Sequence, residues 1–134
     1  MAKDNVEIVR GVYAEWKLGN MIAGLDLFDP EIVFESFMPD SSERVVVHGT
    51  EEIGSFMHEW LAQWRDFRLT AEEFRKVGRN RVFVSGQQMA TGRQSGVAVE
   101  MAIYNVWTFR NSRVVSLLFD RDRQRALEAA GLEE

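Results

Sequence analysis

The sequence predicts an α+β fold in which helices and an antiparallel sheet occupy separate parts of the chain. In the first half, apolar residues recur at helical steps of three and four, and from Phe67 onward the period changes to two. Short turns separate the strand-like segments of the second half, as in a meander. Helices grouped apart from an antiparallel sheet define the α+β class. We therefore expect a strongly curved sheet forming a cone-shaped barrel, with three N-terminal helices across its concave face and a short C-terminal helix.

Capping residues bound most of the predicted helices. Asp4 or Asn5 can cap the first helix, Thr50 the third, and Gly131 is a good stop for the last. The predicted helices span residues 4–18, 21–28, 51–64 and 121–130. The predicted strands span residues 32–37, 45–47, 67–77, 81–91, 97–109 and 113–120, with a loop over 39–42.

Length and composition narrow the possible functions. The 134 residues fit a single domain, 1–134, and the absence of cysteine excludes disulfides, thiolate metal sites and a cysteine nucleophile. A net charge of −5 argues against nucleic-acid binding. The charged N-terminus and the lack of a long apolar run predict a cytoplasmic protein without a secretion signal or a membrane partner. His48 and His58 lie on different predicted elements without the usual metal-ligand spacing, so we expect neither metal nor cofactor.

Four stretches of the chain carry a resemblance to a known superfamily. They are Leu18–Pro30, His48–Thr50, Val106–Val115, and Phe119–Arg121 followed by Ala126–Leu132. Together with the order of elements, they resemble the nuclear-transport-factor-2-like superfamily, and within it the bacterial SnoaL-like domains with a ketosteroid isomerase-like fold. Many of those domains have no assigned activity. The resemblance implies the cone-shaped fold, but fold alone does not fix function.

The resemblance also implies where catalytic groups would stand if this chain were an isomerase of that kind. The general-base Asp of ketosteroid isomerases matches Ser36, and the oxyanion-hole Tyr matches Val12, with Tyr13 one place away. The protonated Asp that forms the second oxyanion donor matches Asn105. A serine cannot abstract a proton from carbon, whereas an amide can still donate a hydrogen bond to an oxyanion.

The hydrolase and cyclase pattern is likewise incomplete. Epoxide hydrolases and SnoaL-type cyclases use an Asp on the final strand, and the matching residue here is Leu117. Arg81 could match the arginine of the hydrolases, but Phe83 stands where their second Asp would be. Both known bases of the superfamily are therefore missing.

Several polar residues share apolar faces, and each has two interpretations. Asn105 either contacts a ligand or makes a structural hydrogen bond, since a buried unpaired amide is costly. Tyr13 is either a pocket hydroxyl or a core aromatic, and Gln87 is a possible second amide. The predicted pocket residues are Tyr13, Trp16, Phe34, Ser36, Phe56, Trp60, Gln87, Asn105, Trp107, Leu117 and Phe119. Of these, Asn105 and Tyr13 are the candidates for catalysis.

Two functions follow, and the sequence does not decide between them. The first is a pocket protein that binds, or transforms by isomerisation, dehydration, cyclisation or hydrolysis, a small hydrophobic molecule. The second is a non-catalytic binding or accessory protein acting through its sheet face. The semi-apolar outer residues of one strand predict a homodimer through that face. They are Ala102, Tyr104, Val106 and Thr108.

Overall fold

A computed structural model describes residues 4–37 and 43–132. The helices are α1 (Asn5–Lys17), α2 (Gly49–Ala62) and α3 (Arg123–Ala130), with a 3-10 helix at Leu25–Leu27. The strands are β1 (Phe28–Phe37), β2 (Arg44–His48), β3 (Trp64–Val77), β4 (Arg81–Gly92), β5 (Ala98–Arg110) and β6 (Arg113–Asp120). The predicted loop 39–42 lies outside the described residues.

All six strands form one curved sheet in the order β2-β1-β6-β5-β4-β3. Neighbouring strands are antiparallel except β1 and β6, which run parallel. Because β2 and β3 are both edges, the sheet curves without closing. The predicted α+β class and cone-like architecture are confirmed.

Two apolar clusters lie on opposite faces of this sheet. On the concave face, α1 places Val9, Tyr13 and Trp16 against inward residues such as Trp107. On the convex face, α3 packs on the β-strands, with Leu127 fully buried. The short C-terminal helix therefore covers the outer side of the sheet, while α1 and α2 cover the inner side.

The predicted helix at 21–28 is wrong in most of its length. Residues 21–24 form turns, and only Leu25–Leu27 is helical, as a 3-10 turn. Gly24 adopts a left-handed φ of 96°, which ends regular helix formation. A Cβ at Gly24 would lie 3.1 Å from Val12, so this turn approaches α1 closely. Phe28 already belongs to β1, four residues before the predicted start.

Three helix boundaries also differ from the prediction. His48, not Thr50, is the N-cap residue of α2, and its side chain makes no capping hydrogen bond. The helix ends at Ala62, two residues before the predicted end, and Trp64 is the first residue of β3. At α3 the cap is Asp122, whose side chain accepts a hydrogen bond from the Arg125 amide. Gly131 ends α3 in the left-handed conformation, as predicted.

Candidate functional site

The interior of the cone holds a small, wholly apolar cavity between the sheet and α2. Its volume is about 40 Å³, far below the roughly 300–1,000 Å³ of sites that hold drug-sized ligands. The lining residues are Trp16, Met21, Phe28, Phe34, Ile53, Phe56, Met57, Trp60, Phe67, Leu69, Leu117 and Phe119. Side chains therefore fill most of the cone, and no polar side chain lines what is left.

About half of the predicted pocket residues line this cavity. They are Trp16, Phe34, Phe56, Trp60, Leu117 and Phe119. Six other lining residues were not predicted from the sequence, namely Met21, Phe28, Ile53, Met57, Phe67 and Leu69. Four of these could have been predicted from the sequence pattern. Ile53 and Met57 are four residues apart in the predicted third helix, and Phe67 and Leu69 are alternate residues of β3.

The two candidate catalytic residues are bonded to each other, away from the cavity. The Tyr13 hydroxyl on α1 donates a hydrogen bond to Asn105 Oδ1 on β5. The same hydroxyl accepts from Trp107 Nε1 at 3.2 Å, and Asn105 Nδ2 donates to the Leu118 carbonyl at 3.5 Å. Tyr13, Asn105 and Trp107 are all buried. This network joins α1 to the sheet.

Burial determines the chemistry of the Tyr13 hydroxyl. Desolvation raises its pKa well above the usual range, and the hydrogen bond from Trp107 only partly opposes that change. The phenol therefore stays protonated, and its proton is committed to Asn105. The Tyr13 proton is therefore not free for a molecule in the cavity, and Asn105, whose Nδ2 donates to the Leu118 carbonyl, does not line it.

The other predicted polar residues are divided between the two faces of the sheet. Ser36 is buried, and its hydroxyl donates to the Phe37 carbonyl at 3.1 Å. Gln87 lies on the convex face, where its amide donates to Glu72 at 3.1 Å, so its assignment to the pocket is corrected. Its neighbour Gln88 is the buried, inward-facing amide of β4.

A buried carboxylate does exist, but it belongs to an ion-pair cluster at the start of α3. Asp120 is 1% exposed and accepts hydrogen bonds from Arg44 at 3.0 Å and from the Asp122 amide at 2.9 Å. Arg44 also pairs with Glu35 at 2.6 Å. Asp120 is thus occupied with fixing β2 and α3 to the sheet, and it does not line the cavity.

The two histidines do not line the cavity. His48 and His58 are both exposed. Within residues 4–37 and 43–132, no three acidic or histidine side chains are grouped so as to hold a metal ion. Across the same described ranges, no helix has the length and apolarity needed to cross a bilayer.

The predicted dimer face is partly covered by the chain itself. Val106 is only 3% exposed because α3 packs over it, so this residue is not available to a partner. Tyr104 is half-buried beside the same helix, and Thr108 is half-buried as well. Ala102 alone of the four is fully at the surface.

Helix α2 is the least buried wall of the cavity. Only Ile53 of its residues is buried, although the helix carries a broad apolar stripe. Phe56, Met57, Trp60 and Leu61 remain half-exposed while packing on the concave core. The rings of Phe56 and Trp60 stack, with centroids 6.4 Å apart. One wall of the cavity is therefore a helix whose apolar side chains are, apart from Ile53, only partly buried.

Fold, cavity and sequence pattern together place the chain in a family. The model of the SnoaL-like domain matches residues 9–117, which is most of the chain. The protein belongs to the SnoaL-like domain family. No functionally curated protein matches it significantly.

Solved structures share the whole fold at low sequence identity. An NTF2-like protein of unknown function from Burkholderia pseudomallei is 22% identical, with a TM-score of 0.76 over 95% of this chain and 97% of that one. A putative SnoaL-like polyketide cyclase from Mesorhizobium loti is 17% identical, with a TM-score of 0.72 over 88% and 99%. A hypothetical protein with a ketosteroid isomerase-like fold from Catenulispora acidiphila, in complex with trimethylamine, is 16% identical, with a TM-score of 0.73 over 98% and 96%. These similarities establish the fold.

Proposed function

We propose that this protein binds a small hydrophobic molecule inside the cone, between the sheet and α2, and does not use Tyr13 or Asn105 for acid–base catalysis. The observation that carries the proposal is the wholly apolar, aromatic-rich cavity closed by a helix that is itself only half-buried. Cavities with such walls suit hydrophobic ligands.

Binding requires the cavity to grow. Drug-sized ligands occupy sites of roughly 300–1,000 Å³, far more than the 40 Å³ present here. The wall that can yield is α2, since most of its apolar stripe is only partly buried. Gly49 begins α2 with a left-handed φ of 83°, so the helix joins β2 through a residue with unusual backbone freedom. Segments with few buried contacts open at the lowest free-energy cost.

A bound ligand would offset the free-energy cost of that movement, because it would bury apolar side chains of α2 that are now partly exposed. Fully burying a large apolar side chain contributes about 1.5–3 kcal/mol relative to leaving it exposed. Phe56, Met57 and Trp60 are half-exposed and line the cavity, so each has apolar surface left to bury. Burial of these three side chains would therefore stabilise the ligand-bound state relative to the empty one.

The alternative, a catalytic pocket, conflicts with the hydrogen bonds of the two candidate residues. Tyr13 and Asn105 satisfy each other, and neither lines the cavity. A reaction would have to break this pair inside the core. An Asn105→Leu variant tests the point, because we expect it to lose stability but to keep its affinity for a hydrophobic probe.

The binding test uses the neutral fluorescent probe N-phenyl-naphthylamine, whose emission rises in apolar surroundings. Met57→Trp enlarges a side chain that lines the cavity and should weaken binding about tenfold, which is about 1.4 kcal/mol. His58→Trp adds the same ring at the next, exposed position of α2 and should leave the affinity unchanged. Equal affinity in the two variants, or no binding to the wild type, would refute the proposal.

A homodimer through the outer sheet face stays a separate prediction. Because α3 covers Val106, the contact would centre on Ala102 and Thr108 with the edge of Tyr104. Light scattering coupled to size-exclusion chromatography should then report twice the monomer mass, and Ala102→Glu should restore the monomer. A monomeric wild type would remove this surface from consideration.

A further inference from the structure

An open groove of about 560 Å³ lies directly outside the cavity. It is formed by the turn that follows α1, the end of α2, the start of β3 and the turn between β4 and β5. Met21 and Phe67 line both the groove and the cavity. These two side chains are therefore the partition between the cone interior and the surface, and the groove is the natural route of entry.

The polar side of this groove is basic, in a chain with a net charge of −5. Arg68 and Arg93 line it, with Asp66 as an opposing carboxylate. Neither arginine forms an ion pair within the described residues. Arg68 Nη1 donates to the Lys17 carbonyl at 3.1 Å, which holds the guanidinium at the rim. Arginine is the residue best suited to bind a carboxylate through two parallel hydrogen bonds.

An apolar surface lies on the same groove. The Trp64 ring lines it. Leu18 and Ile22, which are 72% and 70% exposed, form the apolar flank.

From these features we infer that the ligand is an amphipathic carboxylate, with its apolar body in the cavity and its anionic head in the groove at Arg68 and Arg93. The inference rests on the proposed function, since the body needs the expanded cavity. It adds the chemical class of the ligand. The basic rim selects the charge of the head, while the aromatic interior accepts the chain or ring that carries it.

The experiment compares three probes with the same alkyl chain and different heads, namely decanoate, decanol and decylamine. Intrinsic fluorescence reports binding, because Trp16 and Trp60 line the cavity. Below the micelle concentration, decanoate should bind about tenfold more tightly than decanol, and decylamine most weakly, in low salt. Added salt should reduce the preference, because charges at an exposed rim are screened.

Three charge variants locate the head group. Arg93→Gln should remove most of the preference for decanoate without changing the affinity for decanol. Asp66→Asn should strengthen decanoate binding a few-fold, since it removes the opposing carboxylate. Asn is well tolerated at the φ of 55° that Asp66 adopts. Arg79→Gln, at an exposed arginine in the turn between β3 and β4, makes the same charge change elsewhere and should have no effect.

The outcomes separate this inference from the proposed function. Equal binding of decanoate and decanol, with both weakened by Met57→Trp, would overturn the carboxylate head and keep the hydrophobic site. No binding of any probe would overturn both. Binding to anionic phosphatidylglycerol vesicles without binding of free decanoate would also overturn the inference, because the groove would then recognise a membrane surface. Arg68→Gln serves as a second head-group variant, its folding checked by its melting temperature.

Discussion

The hydrogen-bond network around the Tyr13 hydroxyl gives the sharpest test of how the cone is held together. Tyr13→Phe keeps the ring but removes two hydrogen bonds, one donated to Asn105 and one accepted from Trp107. Both partners are buried, at 1% and 0% exposure, so neither can turn to water instead. An unpaired buried polar group costs about 1–3 kcal/mol, and here two are left.

We therefore expect Tyr13→Phe to lower the free energy of unfolding by about 2–4 kcal/mol, since the apolar ring offsets part of the loss. An unfolding entropy of about 2.1 cal/mol/K per residue over 134 residues makes each kcal/mol worth about 3.5 °C. The melting temperature should fall by about 7–14 °C, which thermal and urea unfolding can measure.

The double variant Tyr13→Phe/Asn105→Leu provides the control. Each single change leaves a buried partner without its hydrogen bond, whereas the double change removes both members of the Tyr13–Asn105 pair. The double variant should therefore lose clearly less stability than the sum of the two single losses. A loss below about 0.5 kcal/mol for Tyr13→Phe, or strict additivity in the cycle, would show that the network does not stabilise the core. Either result would favour the other interpretation of Tyr13, that its hydroxyl is available to a ligand in the pocket.

The pH dependence of the same pair has a definite sign. Burial raises the pKa of Tyr13 above its ordinary value of 10.0, so folding favours the protonated phenol. Its contribution to stability is complete below that value and is lost as pH rises above 10.0, where the unfolded chain ionises first. The wild type should therefore lose stability above this pH more steeply than Tyr13→Phe. Parallel curves for the two proteins would contradict the assignment.

Four further substitutions test local features of the fold, each by urea unfolding. Gly11→Ala and Gly54→Ala should each stabilise the protein by about 0.5–1 kcal/mol, because both glycines are helical and an added methyl group meets open space. Gly86→Ala should cost at least about 2 kcal/mol, since its Cβ would lie 1.9 Å from the Thr70 carbonyl oxygen across the sheet. Asp122→Ala should cost about 1 kcal/mol through loss of the α3 cap.

Periodicity predicted the strands of the second half well because those strands are long and regular. β4, β5 and β6 begin and end within about one residue of the predicted limits. The failure at 21–28 has a physical cause that spacing cannot show. Ile22, Leu25 and Phe28 follow a helical step, yet Ile22 is 70% exposed and Gly24 turns left-handed against Val12. Tertiary contact overrode the local pattern there.

It was harder to predict which face of the sheet the β4 amide occupies than to predict the strand itself. At the start of β4, Val82, Phe83 and Val84 are all buried, because α3 covers one face and α1 the other. The start of β4 therefore lacks the alternation of buried and exposed residues that would show which of its side chains face inward. For this reason Gln87 was predicted to face the pocket, whereas the inward residue is Gln88. Val106 packs against the same helix, α3. Its apolar side chain therefore does not indicate a contact with a partner protein.

In the binding mode that we propose, discrimination by charge comes from the groove, because two polar side chains of the core are already bonded to each other. Tyr13 and Asn105 were the two candidates for catalysis, and the Tyr13 hydroxyl donates its hydrogen bond to Asn105 Oδ1. A ligand that took either bond would leave the other group unpaired in the core, at about 1–3 kcal/mol. The apolar walls can select only size and shape. We propose that discrimination by charge is left to the groove, which Arg68 and Arg93 line.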